Sequence, residues 1–296
     1  MVNETSPHPV VIVGCGLSGL TVALEVAQFK KVILLTKDDP SISATAWAQG
    51  GIVHLTKDEK SIETHVQDTI RAGDGLVDQE VLEFIARSGH KATEWLINHG
   101  VVFSQDKKLN QLHLVLEGGH SVPRIAHAGD ATGRAILDVL INKALQHPNI
   151  TILKNTFVID LIENQHLTRL SHDNNIYGVY ALNTVSNEVT AIPASHVVLA
   201  TGGMGKVYQY TSNPATATGD GIALAWRGGC KVANLEFMQF HPTCLFHAGE
   251  RSFLISEALR GAGATLEHVD GERFMAKYDP KKELAPRDIV ARSIDF

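Results

Sequence analysis

Near its start the chain passes from a continuous apolar stretch, Val10-Val-Ile-Val13, through Gly14-Cys-Gly-Leu-Ser-Gly19, into an apolar segment from Leu17 to Phe29. A short unbroken apolar run suits a strand buried on both faces of a parallel sheet, and the segment after it predicts a helix. Val32-Ile-Leu-Leu35 is the next buried strand, completing a strand–helix–strand unit. Helical spacing then predicts two helices: Ile62 to Ala72, with Ile62, Val66, Thr69 and Ile70, and Val81 to His99, with Val81, Phe84, Ile85, Trp95, Leu96 and His99. Gln111 to Leu116 alternates as a strand does, and Ala131 to Gln146 reads as a helix beginning beside Asp130. From Ile150 the period falls to that of a strand, through Thr151-Ile-Leu153, Phe157 to Ile162, Tyr177 to Thr184 and Val189 to Ile192. This predicts one strand and a small antiparallel meander. Val197 to Gly203 returns to a buried strand ending in glycines, and Asp220 to Arg227 is a further helix. Beyond about Val232 the pattern loses its regularity, which places a domain boundary near Leu235. The expected fold class is α/β. A Rossmann-like dinucleotide-binding domain of residues 1–234 combines a parallel sheet with the meander, and an incomplete α+β domain follows in 235–296.

Composition narrows the function. A chain of 296 residues with 44% hydrophobic content has ample core volume for two domains. Its apolar runs are too short to span a bilayer, and its first residues lack the pattern of a secretory signal, so a cytoplasmic location and no membrane partner are expected. Cys15, Cys230 and Cys244 lie far apart with no CxxC pair, which argues against a disulfide framework and against a metal site. A net charge of −6 argues against nucleic acid as a partner. It also means that an anionic substrate must be held by local cations.

A GxGxxG sequence is weak alone, but here it lies between a buried strand and a helix, where the chemistry needs it. Gly14 permits the tight turn, Gly16 lets the backbone approach a diphosphate, and Gly19 lets the helix pack on the strand. The helix N-terminus offers partial positive charge to the phosphates. The second strand ends in Thr36-Lys37, with acids only at Asp38 and Asp39, where nicotinamide-dependent enzymes carry a ribose-binding acid. No second GxGxxG exists for a nicotinamide cofactor.

Several segments, in matching order, resemble one family. Ala44-Thr-Ala-Trp-Ala-Gln-Gly-Gly51 and Glu117-Gly-Gly-His-Ser through Gly133 are similar to the succinate dehydrogenase/fumarate reductase flavoproteins. The second block resembles the L-aspartate oxidase branch in particular, as do Lys206 to Thr211, Asn234 to Thr243 and Leu284 to Arg292. The resemblance implies oxidation of L-aspartate to iminoaspartate, the first step of de novo NAD synthesis, with electrons passed from FAD to oxygen or fumarate. It implies FAD contacts from Gly14, Cys15, Gly16, Leu17, Ser18 and Gly19, and from Lys37. Further contacts are implied from Ala44, Thr45, Ala46, Trp47, Ala48, Gln49, Gly50 and Gly51, from Phe157 and Val158 on the adenine side, and from Asp220. Membrane-complex members attach FAD to a histidine whose position here is Ala44, so non-covalent FAD is expected. Quinolinate synthase is the partner the resemblance implies for the unstable imine.

The resemblance also assigns the substrate side. Arg287 corresponds to the catalytic arginine, and a guanidinium binds a carboxylate bidentately while staying charged. His241 corresponds to the histidine that grips a substrate carboxylate, with Gln239 and Thr243 beside it, and Ser256 stands where the branch carries threonine. Glu117 would repel a dicarboxylate unless a cation lies between, and the ammonium of aspartate is such a cation. His120 and His127 read as structural. Family members continue well past the Pro-Arg-Asp motif, so the chain is expected to be a C-terminally truncated form with a partial capping domain, turning over aspartate poorly by itself. The rival readings are a soluble fumarate reductase and a non-catalytic flavin-binding fragment.

Overall fold

The computed structural model describes residues 7–164, 175–245, 247 and 253–295. The residues group into two compact units, Met1–Trp47 with Ile136–Phe237, and Ala48–Ala135 with Met238–Phe296. The division differs from a single cut near Leu235. The chain leaves the first unit after Trp47 and re-enters it within the helix Thr132–Gln146.

The first unit is built on a four-stranded parallel sheet in the order His196–Leu199, Val10–Val13, Val32–Leu35, Ile150–Leu153. Val10–Val13 is buried throughout, as its unbroken apolar run demands of an interior strand. An antiparallel meander of Thr156–Glu163, Ile176–Asn183 and Glu188–Pro193 follows, with Ile176–Asn183 in the middle. Val158, Leu161 and Val179 reach the same core as Val11, Val13, Leu35 and Leu224 of the helix Asp220–Arg227, because a register shift between Asp160 and Val158 resets the alternation. The expected strand and meander are therefore present. The first helix ends at Val26, earlier than Phe29. The amides of Phe29 and Lys30 both bond to the Val26 carbonyl, turning the chain back toward Val32 and leaving Phe29 69% exposed.

In the second unit the helices Glu59–Ala72 and Gln79–Asn98 pack through Leu55, Ile62, Val66, Leu82 and Ala86. Asp58 and Asp78 cap them by accepting from the amides of Ser61 and Val81. The buried side of the longer helix is Leu82, Ala86, Thr93 and Leu96. Val81, Phe84 and Ile85 lie on the exposed side instead. Two apolar stripes satisfy the helical period here, and only packing against the neighbouring helix selects one. Gln111 to Leu116 is not one strand. Gln111–Leu112 pairs with Gln105–Asp106, while Leu114–Val115 joins Ile125–Ala126, which also pairs with Ile52–Val53. Residues 116–124 thus form a loop between two paired strands. A separate small core of Phe274, Met275, Ala285 and Val290 supports the helix Arg287–Asp295.

Candidate functional site

In the first unit, a cleft opens at the carboxyl ends of Val10–Val13 and Val32–Leu35. Its walls include Gly14, Cys15, Gly16, Lys37, Ala44, Thr45, Val158, Ala200 to Gly203 and Asp220. Gly14 has φ +113°, and a Cβ there would lie 2.2 Å from the Ala200 carbonyl oxygen. At Gly19 a Cβ would lie 1.9 Å from the Gly14 carbonyl oxygen, so the helix approaches the turn as closely as backbone allows. Gly14→Ala is expected to cost on the order of 2 kcal/mol in stability, read as a lower urea midpoint; an unchanged midpoint would contradict the assigned strain.

The cradle suits an anionic dinucleotide. The helix Leu17–Val26 has no side-chain cap at Gly16, and the Leu17 amide instead bonds to Thr45 Oγ1 at 3.1 Å. Phosphate oxygens complete such a terminus. Lys37 does not stand free as a phosphate cation. Its Nζ lies 2.5 Å from Asp220 Oδ2 and 2.6 Å from Thr218 Oγ1, and sits 5.8 Å from the centroid of Phe157. Backbone amides and the helix end must therefore receive most of the diphosphate charge. Burial pushes the Cys15 thiol up to about 12, so this loop has no thiolate chemistry near neutral pH. Ala44, Thr45, Ala46 and Trp47 belong to this unit, Thr45 to Trp47 as a short 3₁₀ turn, whereas Ala48, Gln49, Gly50 and Gly51 belong to the other.

In the second unit, polar residues distant in sequence converge on Glu257, which is 5% exposed. Its Oε2 accepts from Arg287 Nε at 2.6 Å, its Oε1 accepts from the Gly118 amide at 2.8 Å, and Arg260 Nη2 lies 3.8 Å away. Burial works to raise the Glu257 carboxyl, but Arg287, the Gly118 amide and Arg260 together hold it below the usual range. It is ionised. Arg287 Nη1 also reaches Gln239 Oε1 at 3.4 Å, so its partners are Glu257 and Gln239, while neighbouring Asp288 pairs with Arg292. His241 Nδ1 lies 2.8 Å from the Thr243 carbonyl, and burial and Arg287 keep the imidazole below its usual value. Thr243 Oγ1 donates to the Ile255 carbonyl, and Ser256 Oγ accepts from the Ala258 amide, leaving its own proton available.

Glu117 is half-buried and faces this cluster. Burial and the Glu257 charge raise its carboxyl, against the opposing influence of Arg287 and His127. One of its oxygens lies only 3.0 Å from the place a Gly50 Cβ would take. The arrangement contains a cation for a carboxylate and a carboxylate short of a cation. Glu257 and Arg260 escaped the sequence reading, although Ser256-Glu-Ala-Leu-Arg260 stood in view. A signal existed in the spacing of Glu257 and Arg260, three apart on one helix turn. Neither His120 nor His127 is idle: His120 Nδ1 lies 3.1 Å from Arg124 Nη1, and His127 Nε2 lies 2.9 Å from His113 Nδ1.

A parallel sheet with a glycine turn at its carboxyl edge and an uncapped helix end defines a dinucleotide-binding α/β protein. The chain matches the FAD binding domain family over residues 9–295 and belongs to it, with FAD as its cofactor. It is 51% identical to L-aspartate oxidase 1 of Ralstonia nicotianae over 97% of its own length and 54% of that protein. It is 43% identical to the chloroplastic L-aspartate oxidase of Arabidopsis thaliana, covering 99% of the chain and 46% of the relative. Among solved structures, E. coli quinol fumarate reductase superposes with a TM-score of 0.88 at 31% identity, over 97% of this chain and 50% of that one. The chain spans about half the length of the curated relatives it matches.

Proposed function

We propose that the chain carries the FAD site and one side of the substrate site of an L-aspartate oxidase, oxidising L-aspartate to iminoaspartate with oxygen or fumarate as acceptor. The observation that carries this reading is Glu117, a half-buried carboxylate beside a second buried carboxylate, Glu257. A dicarboxylate without an amine would bring further negative charge beside these two carboxylates. An ammonium supplies the missing cation. Relatives named L-aspartate oxidase at about half identity support the same reading.

Bound FAD supplies the acceptor for the electrons of the substrate Cα–H bond. The chain's own groups bind and orient. Arg287, held by Glu257 and Gln239, presents its remaining N–H groups to one carboxylate. His241 Nδ1 is placed to donate to the Thr243 carbonyl at 2.8 Å, so its Nε2 donates to the substrate once the ring takes up a proton beside the incoming carboxylate, and Ser256 can donate its hydroxyl proton. Glu117 receives the ammonium. In this reading FAD is held non-covalently, because Ala44 offers no imidazole for a tether. Two further assignments rest on the same resemblance: a place at the start of NAD biosynthesis, with the imine passed to quinolinate synthase, and a cytoplasmic location. No helix among the described residues is long and apolar enough to cross a membrane.

A soluble fumarate reductase is the second reading, favoured by the likeness to E. coli quinol fumarate reductase. Titration of the FAD-loaded chain separates the two. L-aspartate is expected to perturb the flavin spectrum at concentrations where succinate does not, and acid precipitation is expected to leave the flavin in the supernatant. Equal responses to the two dicarboxylates would favour the reductase, and yellow colour in the pellet would sink the non-covalent assignment.

A further inference from the structure

The loop that carries Glu117 is anchored twice. It spans residues 116–124 between the paired strands Leu114–Val115 and Ile125–Ala126, and the Arg124 amide closes its base on the Val115 carbonyl. Its first anchor is the Gly118 amide on Glu257, which belongs to the cluster already described. The second anchor lies on a different carboxylate. Asp68 Oδ2 accepts from the Ser121 amide at 2.8 Å, from Ser121 Oγ at 2.8 Å and from Arg124 Nη1 at 2.7 Å. Asp68 is 4% exposed and Arg124 2%.

We propose that Asp68, Ser121 and Arg124 are positioning residues for Glu117, so that recognition of the substrate amine depends on the buried Asp68–Arg124 ion pair. The proposal rests on the reading of Glu117 as the amine's partner. Its physical basis is the flexibility of the loop between the anchors. Gly118 and Gly119 follow Glu117 directly, and Gly119 takes φ +84°. Two glycines allow the backbone beside Glu117 many conformations unless both ends are tied down. The amide of His120 reaches back to the Glu117 carbonyl at 3.3 Å, linking Glu117 to the Ser121 anchor.

The composition of the second anchor suits positioning better than stability. A buried ion pair rarely outperforms apolar packing of the same volume. Here Arg124 also leaves Nε and Nη2 buried with no hydrogen-bond partner among the described residues. What the pair does provide is direction. A guanidinium only donates, and with one Nη1 hydrogen on Asp68 the other is shared between the Nδ1 atoms of His120 and His65, at 3.1 and 3.4 Å. Burial and the Arg124 charge hold both imidazoles below their usual values, so both rings remain neutral with the proton on Nε2. The loop is thereby held through backbone and side chain at a second point.

Ser121 provides the test, because it is exposed and its hydroxyl can be removed without opening the buried pair. Flavin-difference titrations of the FAD-loaded chain with L-aspartate, succinate and fumarate would be compared for wild type, Ser121→Ala, Ser121→Thr and Asp68→Asn. Ser121→Ala is expected to weaken aspartate about fivefold or more, since the hydrogen bond it removes ends on the charged Asp68 carboxylate. Fumarate affinity, FAD content and melting temperature should stay near wild type. Ser121→Thr keeps the hydroxyl and should restore aspartate affinity, while Asp68→Asn should weaken aspartate further and also lower the melting temperature. Parallel weakening of aspartate and fumarate in Ser121→Ala, or no recovery in Ser121→Thr, would overturn the positioning role. A wild-type chain that does not distinguish aspartate from succinate would instead overturn the reading of Glu117 itself, whatever the variants do.

Discussion

Glu117→Gln is expected to raise the aspartate dissociation constant roughly 10- to 150-fold, the worth of one charge-assisted hydrogen bond of about 1.5–3 kcal/mol. Fumarate and succinate should bind as well as before or better. They carry no ammonium, and the substitution removes a carboxylate that repels them. The pH dependence should separate the ligands too. Burial and Glu257 raise the Glu117 carboxyl above its ordinary 4.5. Only its ionised form attracts an ammonium, so aspartate affinity should climb as pH rises from 4.5 through that raised value, and Glu117→Gln should flatten the climb. Stability follows the opposite sign. A carboxyl whose folded pKa is raised favours the fold while neutral, and that contribution is lost as pH rises through the folded value. Glu117→Gln should therefore melt higher than wild type at neutral pH. Equal losses for aspartate and fumarate, or a lower melting temperature, would show that Glu117 serves the fold rather than the amine.

The second large effect is expected at Arg287. Its guanidinium is both the candidate carboxylate ligand and the closest cation to Glu257. Arg287→Met should weaken aspartate and fumarate together, by about 100-fold or more, since a bidentate guanidinium–carboxylate contact is lost from both. It should also destabilise the chain. Leaving a buried carboxylate without its partner costs about 3–5 kcal/mol, and Arg260 at 3.8 Å recovers only part of it. The two losses separate in a double variant. Arg287→Met with Glu257→Gln should regain part of the melting temperature, because the buried carboxylate is gone while Arg260 loses the same partner, and should still fail to bind either dicarboxylate. Recovery of binding in the double variant would show that Arg287 acts on the fold alone. Recovery of neither property would show that Glu257 does more than hold Arg287.

The dinucleotide cradle and the carboxylate cluster were legible to different degrees. The dinucleotide cradle could be read almost residue by residue, because its parts are contiguous. A buried strand, a turn requiring positive φ at Gly14 and a helix packed through Gly19 are each local demands on neighbouring residues. The Lys37–Asp220 pair was not legible as a pair, since both residues were read separately as cofactor contacts and lie far apart in the chain. The same holds for the substrate side. Arg287, His241 and Glu117 were marked by motif, but the carboxylate that ties Arg287 to the loop after Glu117, Glu257, was passed over. Hydrophobic periodicity carries no information about which distant charge meets which.

Local order was thus determined by the sequence itself. Unbroken apolar runs specified the inner strands, alternation specified the meander, and glycines marked where backbone must approach backbone. The tertiary structure decided which of two apolar stripes on Gln79–Asn98 is buried, and split Gln111 to Leu116 between two sheets. It also decided that Asp68 and Glu257, rather than any neighbour in sequence, hold the loop of Glu117. The reason is the range of the forces. Backbone sterics and side-chain periodicity act within a turn or a strand, whereas ion pairs and packing are settled only when segments far apart in the chain are brought into contact.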